Sequence, residues 1–332
     1  MAPQDCFRRG IRSSYDAKPW ECFQCNTMNL PVQKFLFDLP SFRCSGCGSP
    51  FLDDFEFCFD LVKANTHQLI GGLGNVKYQS DSPECIAFSI ASCLEIAKRI
   101  RKVFRGKDPD SVKGINPFEI VEMFEEKCRH GMSYGETGIG KLVTMALTVQ
   151  NDGITSEDHL KHFSAVAVET IDKFDFEKIC SVLADGIPLI GTLYSGDRLK
   201  NLKYGQIYKA PKLARFLEKG IIPVGHAVVI IGAGMHSGQQ YLYFLNSWGA
   251  EFCPRYDQDG NLVKGGVGKM RLYDLICNPI LFATNFTECV GQNRLMPMNI
   301  GKLSDYNKRV LMGERQTNVI LEDLIIAGVS SG

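Results

Sequence analysis

The spacing of apolar residues changes once along the chain, near Phe163, and this change restricts the folds open to the sequence. Before it, apolar residues recur at helical intervals and predict helices over residues 82–104, 116–128 and 140–150. After it, β-branched runs separated by turns predict one short helix at 175–185 and strands at 165–169, 189–193, 227–232, 241–246 and 268–272. A helical half followed by a strand half indicates an α+β fold.

Composition narrows the class of protein further. The chain has 332 residues, of which 45% are hydrophobic and 22% charged, which is typical of a globular protein of about two domains. Basic and acidic residues number 37 each without long runs of one sign, so no basic surface for nucleic acid is indicated. No apolar stretch reaches the roughly 18 residues of a membrane span, so no membrane association is expected.

The N-terminus and the cysteine count suggest a reducing compartment. Residues 1–12 carry several charges and lack the apolar core of a secretory signal. The thirteen cysteines are an odd number in a long chain without such a signal, which favours reduced thiols and metal ligands over a disulfide framework. We therefore expect the protein in the cytosol or the nucleus, and not outside the cell.

Cys85 is the first candidate for chemistry. It stands at the third position of a helix predicted to begin with Ser82 as cap and Pro83 as first residue. Unpaired backbone N–H groups and the positive end of the helix dipole favour thiolate over thiol at such a position. An isolated helical cysteine is more often a small buried hydrophobe, and Cys93 on the same helix is interpreted in that way.

Three other residues favour the catalytic interpretation of Cys85. Gln79 lies six positions upstream, where its amide can donate to an oxyanion together with the backbone N–H of Cys85. His226 heads the apolar run 227–231 and suits a general base carried on a strand. Asn246 ends another predicted strand, where it can hold the second imidazole nitrogen of His226.

The pattern resembles the papain family of cysteine proteases in three motifs that occur in the family's order. They are Gln79 followed after five residues by Cys85, with Ala87-Phe88-Ser89 beyond it; His226-Ala227-Val228; and Asn246-Ser247-Trp248-Gly249. The separations, about 140 residues from cysteine to histidine and 20 from histidine to asparagine, also agree with the family. The resemblance covers about residues 71–275.

This resemblance implies a papain-like two-lobe fold, with a helical lobe and an antiparallel β-sheet lobe, and peptide hydrolysis through an acyl-enzyme without a catalytic cofactor. It implies that Cys85 is the nucleophile, that Gln79 stabilises the oxyanion, and that His226 transfers protons. By the same resemblance Asn246 orients His226, and Trp248 shields the bond between them from water. Gly140 would line the groove for the second residue of the substrate.

Some positions depart from the family pattern. Ile86 follows the nucleophile in place of tryptophan, and Glu84 precedes it where a small residue is usual. A carboxylate beside a thiol opposes thiolate formation when it points inward. Ser82 and Thr137 occupy the positions of a disulfide found in secreted relatives, and the chain has no counterpart of the inhibitory propeptide. An insert at 254–264 changes the rim of the groove, so substrate specificity does not carry over.

Two C-x-x-C pairs near the N-terminus predict a second kind of site. Cys22 and Cys25 are separated by 18 residues from Cys44 and Cys47, a spacing typical of a closed tetrahedral Zn(II) site. Disulfides or free thiols are the alternative, which a cytosolic setting disfavours. A segment this small has little core of its own, so the metal should supply much of its stability. Cys6 and Cys58 fall outside the spacing and are not expected to be ligands.

The residues around the first pair are similar to Ran-binding-protein-type zinc fingers. Trp20 precedes Cys22 by two positions, and Asn29 follows Cys25 by four. Several members of that group bind ubiquitin or single-stranded RNA, although the gap before Cys44 is longer here and closer to zinc ribbons of vesicle-coat proteins. The resemblance makes a ubiquitin-like protein or RNA a candidate partner, while a purely structural role remains open.

The sequence thus predicts three segments: a zinc ribbon over residues 1–63, a papain-like catalytic domain over 64–285, and a C-terminal extension of unknown role over 286–332. The leading hypothesis is an intracellular cysteine peptidase acting on protein or peptide substrates. Two alternatives stay open. One is a catalytically silent papain-fold protein that recruits a partner through its ribbon, as the departures at Glu84 and Ile86 would allow, and the other is acyl transfer to an amine instead of water.

Overall fold

The computed structural model of the chain describes residues 20–29, 44–49, 55–59, 76–104, 107–130, 138–156, 162–163, 167–184, 186–220, 223–256, 259–260 and 262–283. Within these residues the fold is mixed α+β, as the sequence predicts. Cys6 and the predicted extension 286–332 lie outside the described residues. Among the helices in this part of the chain, none combines the length and the apolar character needed to cross a membrane.

Three long helices come from the first half of the chain. They are α1 (Cys85–Phe104), α2 (Pro117–Arg129) and α3 (Gly138–Asp152). The predictions of α2 and α3 are confirmed to within two residues. Helix α2 follows Asn116, whose side-chain oxygen accepts a hydrogen bond from the Phe118 N–H and caps the first turn. Residues 87–97 of α1 are buried on every side, so α1 is the central helix of the fold.

The remaining helical elements are short. They are α4 (Phe176–Ala184), α5 (Asp197–Lys200), α6 (Leu213–Glu218) and two 3₁₀ turns, Pro109–Ser111 and Leu272–Asp274. Helix α4 is the helix expected between strands.

Fourteen strands occur in the described part of the chain. They are β1 (Trp20–Glu21), β2 (Met28–Asn29), β3 (Phe55–Cys58), β4 (Ile154–Thr155), β5 (His162–Phe163), β6 (Ala167–Thr170), β7 (Leu189–Ser195), β8 (Ile207–Tyr208), β9 (Val224–His236), β10 (Gln239–Leu245), β11 (Arg255–Tyr256), β12 (Leu262–Lys264), β13 (Val267–Arg271) and β14 (Ile280–Ala283). All five predicted strands are present, as β6, β7, β9, β10 and β13. Strands β3 and β14, which also belong to the main sheet, were not predicted.

The main sheet has eight strands in the order β6-β14-β7-β9-β10-β13-β8, and β3 is a further partner of β9. All pairings are antiparallel except that between β8 and β13. Strand β9 is the centre of this sheet. One edge pairs first with β7 and then with β3, and the other edge pairs with β10. Helix α1 packs against β9, and this contact positions the site described below.

Strand β3 departs from the predicted organisation, because it lies within the range 1–63 assigned to the zinc ribbon. Its residues pair with Gly232–Met235 of β9. Phe55, Cys58 and the following Phe59 are buried, and the Phe55 ring lies 6.0 Å from that of Phe176 on α4. The alternation of large apolar residues with Glu56 is the period of a half-buried strand, and it is the local signal that indicates β3.

Glu56 connects β3 to two other strands of the sheet. Its Oε2 atom accepts hydrogen bonds from the hydroxyls of Tyr241 and Tyr243, both at 2.7 Å, and from Lys269 Nζ at 2.9 Å. Both tyrosines are buried. A Cβ atom at Gly234 would lie only 2.5 Å from the Tyr241 ring, so a glycine there lets that ring lie across β9. Glu56 therefore fastens β3 to β10 and β13.

Replacing Glu56 with alanine should destabilise the protein. Two buried hydroxyls and one ammonium lose their common acceptor, and unsatisfied buried donors cost about 1–3 kcal/mol in free energy of unfolding. Urea unfolding followed by tryptophan fluorescence measures the change. Glu56→Gln keeps an acceptor and should lose less. Glu122→Ala, at an exposed position on α2, is the matched control, and equal midpoints for Glu56→Ala and Glu122→Ala would contradict the assignment.

Candidate functional site

Helix α1 begins at the candidate nucleophile, two residues later than predicted. The first helical hydrogen bond runs from the Phe88 N–H to the Glu84 carbonyl at 3.2 Å, so Cys85 is the first helical residue instead of the third. The preceding turn is closed by its own hydrogen bonds, from Ser82 N to Gln79 O at 3.0 Å and from Glu84 N to Ser82 Oγ at 3.3 Å. The N–H of Cys85 is consequently one of the unpaired donors of the helix N-terminus.

A hydrogen bond joins Cys85 to strand β9. The Ala227 N–H donates to Cys85 Sγ at 3.5 Å, although the two residues lie 142 positions apart in the chain. Ala227 directly follows His226, so the packing of α1 on β9 brings the thiol beside the residue that carries the candidate base. Cys85 is partly exposed and His226 is buried. The structure thus brings together the two residues that the sequence singled out.

His226 and Asn246 form a buried hydrogen bond. The distance from His226 Nε2 to Asn246 Oδ1 is 2.7 Å; His226 belongs to β9, and Asn246 directly follows the last residue of β10. Asn246 Oδ1 also accepts from the Ser247 N–H at 2.8 Å, which identifies that atom as the oxygen. Nε2 must then be the protonated nitrogen of the neutral imidazole, and Nδ1 carries the lone pair that a general base requires.

Trp248 covers this pair. Its ring lies 4.8 Å from the His226 ring, at an interplanar angle of 34°. The other side of the indole packs edge-on against Phe252, with 5.6 Å between the ring centroids. The aromatic cover limits the access of water to the bond between His226 and Asn246 and keeps the imidazole in one orientation.

Gln79 is fixed beside the same segment. Its Nε2 donates to the Ser82 carbonyl at 2.7 Å, and its Oε1 accepts from the Ser247 hydroxyl. Its backbone N–H donates to the Ser247 carbonyl at 2.8 Å. A carboxamide nitrogen carries two N–H groups, so one remains for an oxyanion. These contacts fix Gln79 to Ser247, the neighbour of Asn246, across 168 positions of sequence.

The pairing of the Gln79 segment with Trp248 depends on a glycine. Tyr78 forms an antiparallel bridge with Trp248, and the Gly249 N–H donates to the Lys77 carbonyl at 3.0 Å. Gly249 has φ of 75° in the left-handed region, and a Cβ there would lie 3.2 Å from the Tyr78 ring. The glycine that ends the Asn-Ser-Trp-Gly motif is therefore required by the backbone.

The charges at rest differ from the sequence expectation of a stabilised thiolate. Burial raises the pKa of Cys85 and the Glu84 charge adds to this, while the Ala227 N–H and Lys141 oppose it. Burial also lowers the pKa of His226, against the effect of Asn246. Both directions favour an uncharged thiol beside a neutral imidazole, because desolvation disfavours the charged form of each group. The helix N-terminus alone does not overcome this desolvation.

Glu84, the departure that raised doubt about activity, is paired. Lys141 Nζ lies 2.9 Å and 3.1 Å from the two carboxylate oxygens of Glu84. Lys141 belongs to the first turn of α3, next to Gly140. Sequence analysis did not identify Lys141, since no local pattern connects it to a residue 57 positions earlier. The same contact places the start of α3 against the loop before Cys85, and the substrate role of half-buried Gly140 stays a prediction.

A second site lies in the N-terminal segment, where the thiols of Cys22, Cys25, Cys44 and Cys47 converge. All four sulfurs lie within 4.8 Å of one another. Cys22 Sγ is 3.6 Å from Cys47 Sγ, and Cys25 Sγ is 3.4 Å from Cys44 Sγ. A tetrahedron with metal–sulfur bonds of about 2.3 Å has edges of about 3.8 Å. The four thiols therefore fit the donor set and the size of a structural zinc site.

Backbone donors and burial act in opposite directions on these thiols, and burial prevails at Cys22, whose pKa it raises to about 11. The Gln24 N–H donates to Cys22 Sγ at 3.4 Å, and the Gly46 N–H donates to Cys44 Sγ at 3.3 Å, one bond in each knuckle. Although burial opposes them, backbone donors lower the pKa of Cys44 to about 6. Thiolates are the form that binds a metal.

Asn29 ties the two knuckles together. Its Nδ2 donates to the Thr27 carbonyl at 2.8 Å, and its Oδ1 accepts from the Ser45 N–H at 2.8 Å and from the Ser45 hydroxyl at 3.1 Å. Asn29 lies on β2, which pairs with β1, and its side chain is buried. The asparagine that drew attention in the sequence is thus a clamp between the two C-x-x-C pairs.

Comparison with known proteins finds similarity to solved structures. No protein-family model matches the sequence. No curated protein matches it either. The chain is similar to the crystal structure of the Carica candamarcensis cysteine protease CMS1MS2 in complex with E-64, at 15% identity and a TM-score of 0.46. The match covers 69% of this chain and 98% of that chain. At this level of similarity, the chemistry of the site follows from its own residues alone.

Proposed function

We propose that the protein is a papain-like cysteine peptidase that hydrolyses peptide bonds through a Cys85–His226–Asn246 triad. The observation that carries this proposal is the hydrogen bond from the Ala227 N–H to Cys85 Sγ beside the buried pair of His226 and Asn246. The thiol is bonded to the residue next to His226, and His226 is bonded to Asn246, which supports the arrangement of nucleophile, base and orienting residue found in a catalytic triad.

The order of proton transfers follows from the tautomer of His226. Nδ1 takes the proton of the Cys85 thiol as the sulfur attacks the substrate carbonyl, and Asn246 stabilises the resulting imidazolium through Nε2. The Cys85 N–H and the second N–H of the Gln79 amide donate to the developing oxyanion. His226 then protonates the leaving amine and the carbon–nitrogen bond breaks. In the second half, His226 takes a proton from water, which attacks the thioester and releases the acid and the free thiol.

The neutral resting state is compatible with this order. Because the Cys85 thiol and the His226 imidazole are both uncharged at rest, the proton moves from sulfur to nitrogen during the attack and not before it. The charges that burial disfavours in the free enzyme then form only during the reaction, where Asn246 and the oxyanion donors stabilise them. Protein and peptide substrates fit this chemistry, and acyl transfer to another amine would use the same first half.

For the N-terminal segment we propose a zinc ribbon whose metal is held by Cys22, Cys25, Cys44 and Cys47. Four thiolates close the coordination shell, so the ion supplies structure and no step of catalysis. We propose that the ribbon recruits a protein partner, such as a ubiquitin-like protein, or RNA, and that the protein acts in the cytosol or the nucleus. The large apolar side chains of Phe23 and Met28 are exposed on the ribbon, which supports a recognition role.

The second candidate is a catalytically silent protein of the same fold. Ile86 favours it, because the side chain packs half-buried against the core at the position of the family's tryptophan. Retention of Gln79, Cys85, His226 and Asn246 together favours the enzyme, because a binding scaffold has no physical need for the full set.

Covalent labelling separates the two candidates. An epoxide or vinyl-sulfone thiol inhibitor, applied under reducing conditions, should modify Cys85 and leave the Cys85→Ala variant unmodified, as peptide mass mapping would show. With the neutral reagent iodoacetamide, the rate should rise with pH by about tenfold per unit below the pKa of Cys85, because only the thiolate reacts and burial raises that pKa. Absence of any adduct at Cys85 would favour the silent protein, and a rate independent of pH would contradict the neutral resting state.

A further inference from the structure

Lys141 links three parts of the helical half of the chain near the start of helix α1. It lies in the first turn of α3, and both oxygens of Glu84 accept from its ammonium. The ammonium also lies 5.7 Å from the centre of the Phe124 ring on α2, within the range of a cation–π contact. Three elements of the helical half of the chain therefore hold Lys141 in one place. Glu84, the residue that it holds, is the direct neighbour of Cys85.

The Glu84 carboxylate does not cap the helix that begins beside it. The hydrogen bonds of its two oxygens within the described residues go to Lys141, while the Glu84 N–H is occupied by the Ser82 hydroxyl. Without Lys141, this carboxylate would be available to accept from the N–H groups of the first turn of α1, which begins at the next residue. A carboxylate turned towards those donors would place a negative charge at the nucleophile.

We propose that Lys141 is a positioning residue for the nucleophile, which clamps the Glu84 carboxylate away from Cys85 and cancels its charge. The inference deepens the proposed function and rests on it. In the sequence, Glu84 is an unfavourable residue beside the thiol. The inference explains why it is tolerated there, because Lys141 on α3 supplies the opposing charge. It also couples the position of α3, and of Gly140 next to Lys141, to the reactivity of Cys85.

The electrostatic balance around Cys85 supports this assignment. Within the described residues, the charges that act on the thiol are those of Glu84 before α1 and Lys141 on α3, and His226 on β9 is the neighbour of Ala227, whose N–H donates to the thiol. The pKa of Cys85 is raised first by burial and then by the charge of Glu84, and it is lowered by the charge of Lys141. A partly exposed pair contributes modestly to folding stability. An uncompensated charge has a larger effect on the pKa of a neighbouring thiol. A buried charge within about 4–6 Å shifts a pKa by about 1–3 units, and a charge that solvent screens shifts it by less.

The test is the pH profile of iodoacetamide alkylation of Cys85 in the full-length protein. Lys141→Met should move the midpoint of the profile upward by about half a unit to one unit and slow alkylation at neutral pH by about threefold to tenfold. Lys141→Arg, which keeps the charge, should restore the wild-type midpoint. Glu84→Gln should move the midpoint downward, and the double variant Glu84→Gln with Lys141→Met should return close to wild type.

Each outcome decides between distinct conclusions. An unchanged midpoint in a folded Lys141→Met variant would overturn the inference while leaving the proposed function intact, whereas failure to label wild-type Cys85 would overturn the proposed function itself. If Lys141→Met does not fold, Glu84→Gln tests the same inference, because the midpoint should then move downward instead of upward. A melting temperature that falls without a shift of the midpoint would make the pair structural only.

Discussion

His226→Ala should lower the rate of peptide hydrolysis by at least about 10³-fold, which is the largest single loss expected outside the nucleophile itself. His226 is the acceptor of the thiol proton and the donor to the leaving amine, so both halves of the reaction lose their proton carrier. The thiol also stays uncharged at neutral pH, because burial raises the pKa of Cys85 and no base remains to take its proton. Steady-state hydrolysis of a fluorogenic peptide mixture measures the loss.

Strand β9 offers a matched control for this substitution. His236 lies at the exposed end of the same strand, ten positions from His226, and His236→Ala should keep the wild-type rate. Circular dichroism would show whether either variant disturbs the sheet. Hydrolysis that survives His226→Ala while Cys85→Ala remains inactive would mean that another group serves as the base, and the triad would have to be abandoned.

The elements that sequence analysis located correctly are those with local signals. Helix α1 carries apolar residues around most of its surface, and strand β9 contains the continuous apolar run 227–231, so both elements have signals that need no reference to the rest of the chain. The start of α1 was misplaced by two residues because Gln79, which contacts with Ser247 hold in place, and Ser82 close a turn before Cys85. Pro83 is compatible with a helix start, but these distant contacts decide where the helix begins.

The same distinction applies to the site. Gln79, Cys85, His226 and Asn246 were identified because each belongs to a motif of several adjacent residues. Lys141 belongs to no motif, and its pairing with Glu84 depends on the packing of α3 against the loop before α1. A single sequence carries no record of such a pair. The charge of Glu84 could therefore be identified in advance as unfavourable, but its compensation could not.

Strand β3 illustrates a third limit. Its alternation of apolar and polar residues is short and follows the four cysteines closely, so the segment was assigned with them to residues 1–63. Glu56 settles its place, because its three hydrogen bonds reach β10 and β13 of the main sheet. We therefore propose that the ribbon ends between Ser49 and Phe55 and that β3 begins the catalytic domain. The zinc site then lies only a few residues from the sheet.

Cys44→Ser should abolish zinc binding, reducing the metal content of the full-length protein from about one ion per chain to nearly none. Four thiols at mutual distances that fit a tetrahedral ion support one site, and a structural site needs all four ligands to close. Mass-spectrometric metal analysis of the purified protein measures the content. Cys128→Ser, at a half-buried position on α2 outside the cluster, should keep its zinc.

The loss of zinc should also unfold the ribbon, because the metal contributes about 10–16 kcal/mol of apparent binding free energy to sites of this type. The buried clamp of Asn29 on Ser45 cannot replace a term of that size, since a hydrogen bond contributes about 1 kcal/mol net. Limited proteolysis should therefore cut Cys44→Ser between residues 20 and 49 while sparing the wild type. Undiminished zinc in Cys44→Ser, or equal protection of both proteins from the protease, would show that the four cysteines do not form a metal site.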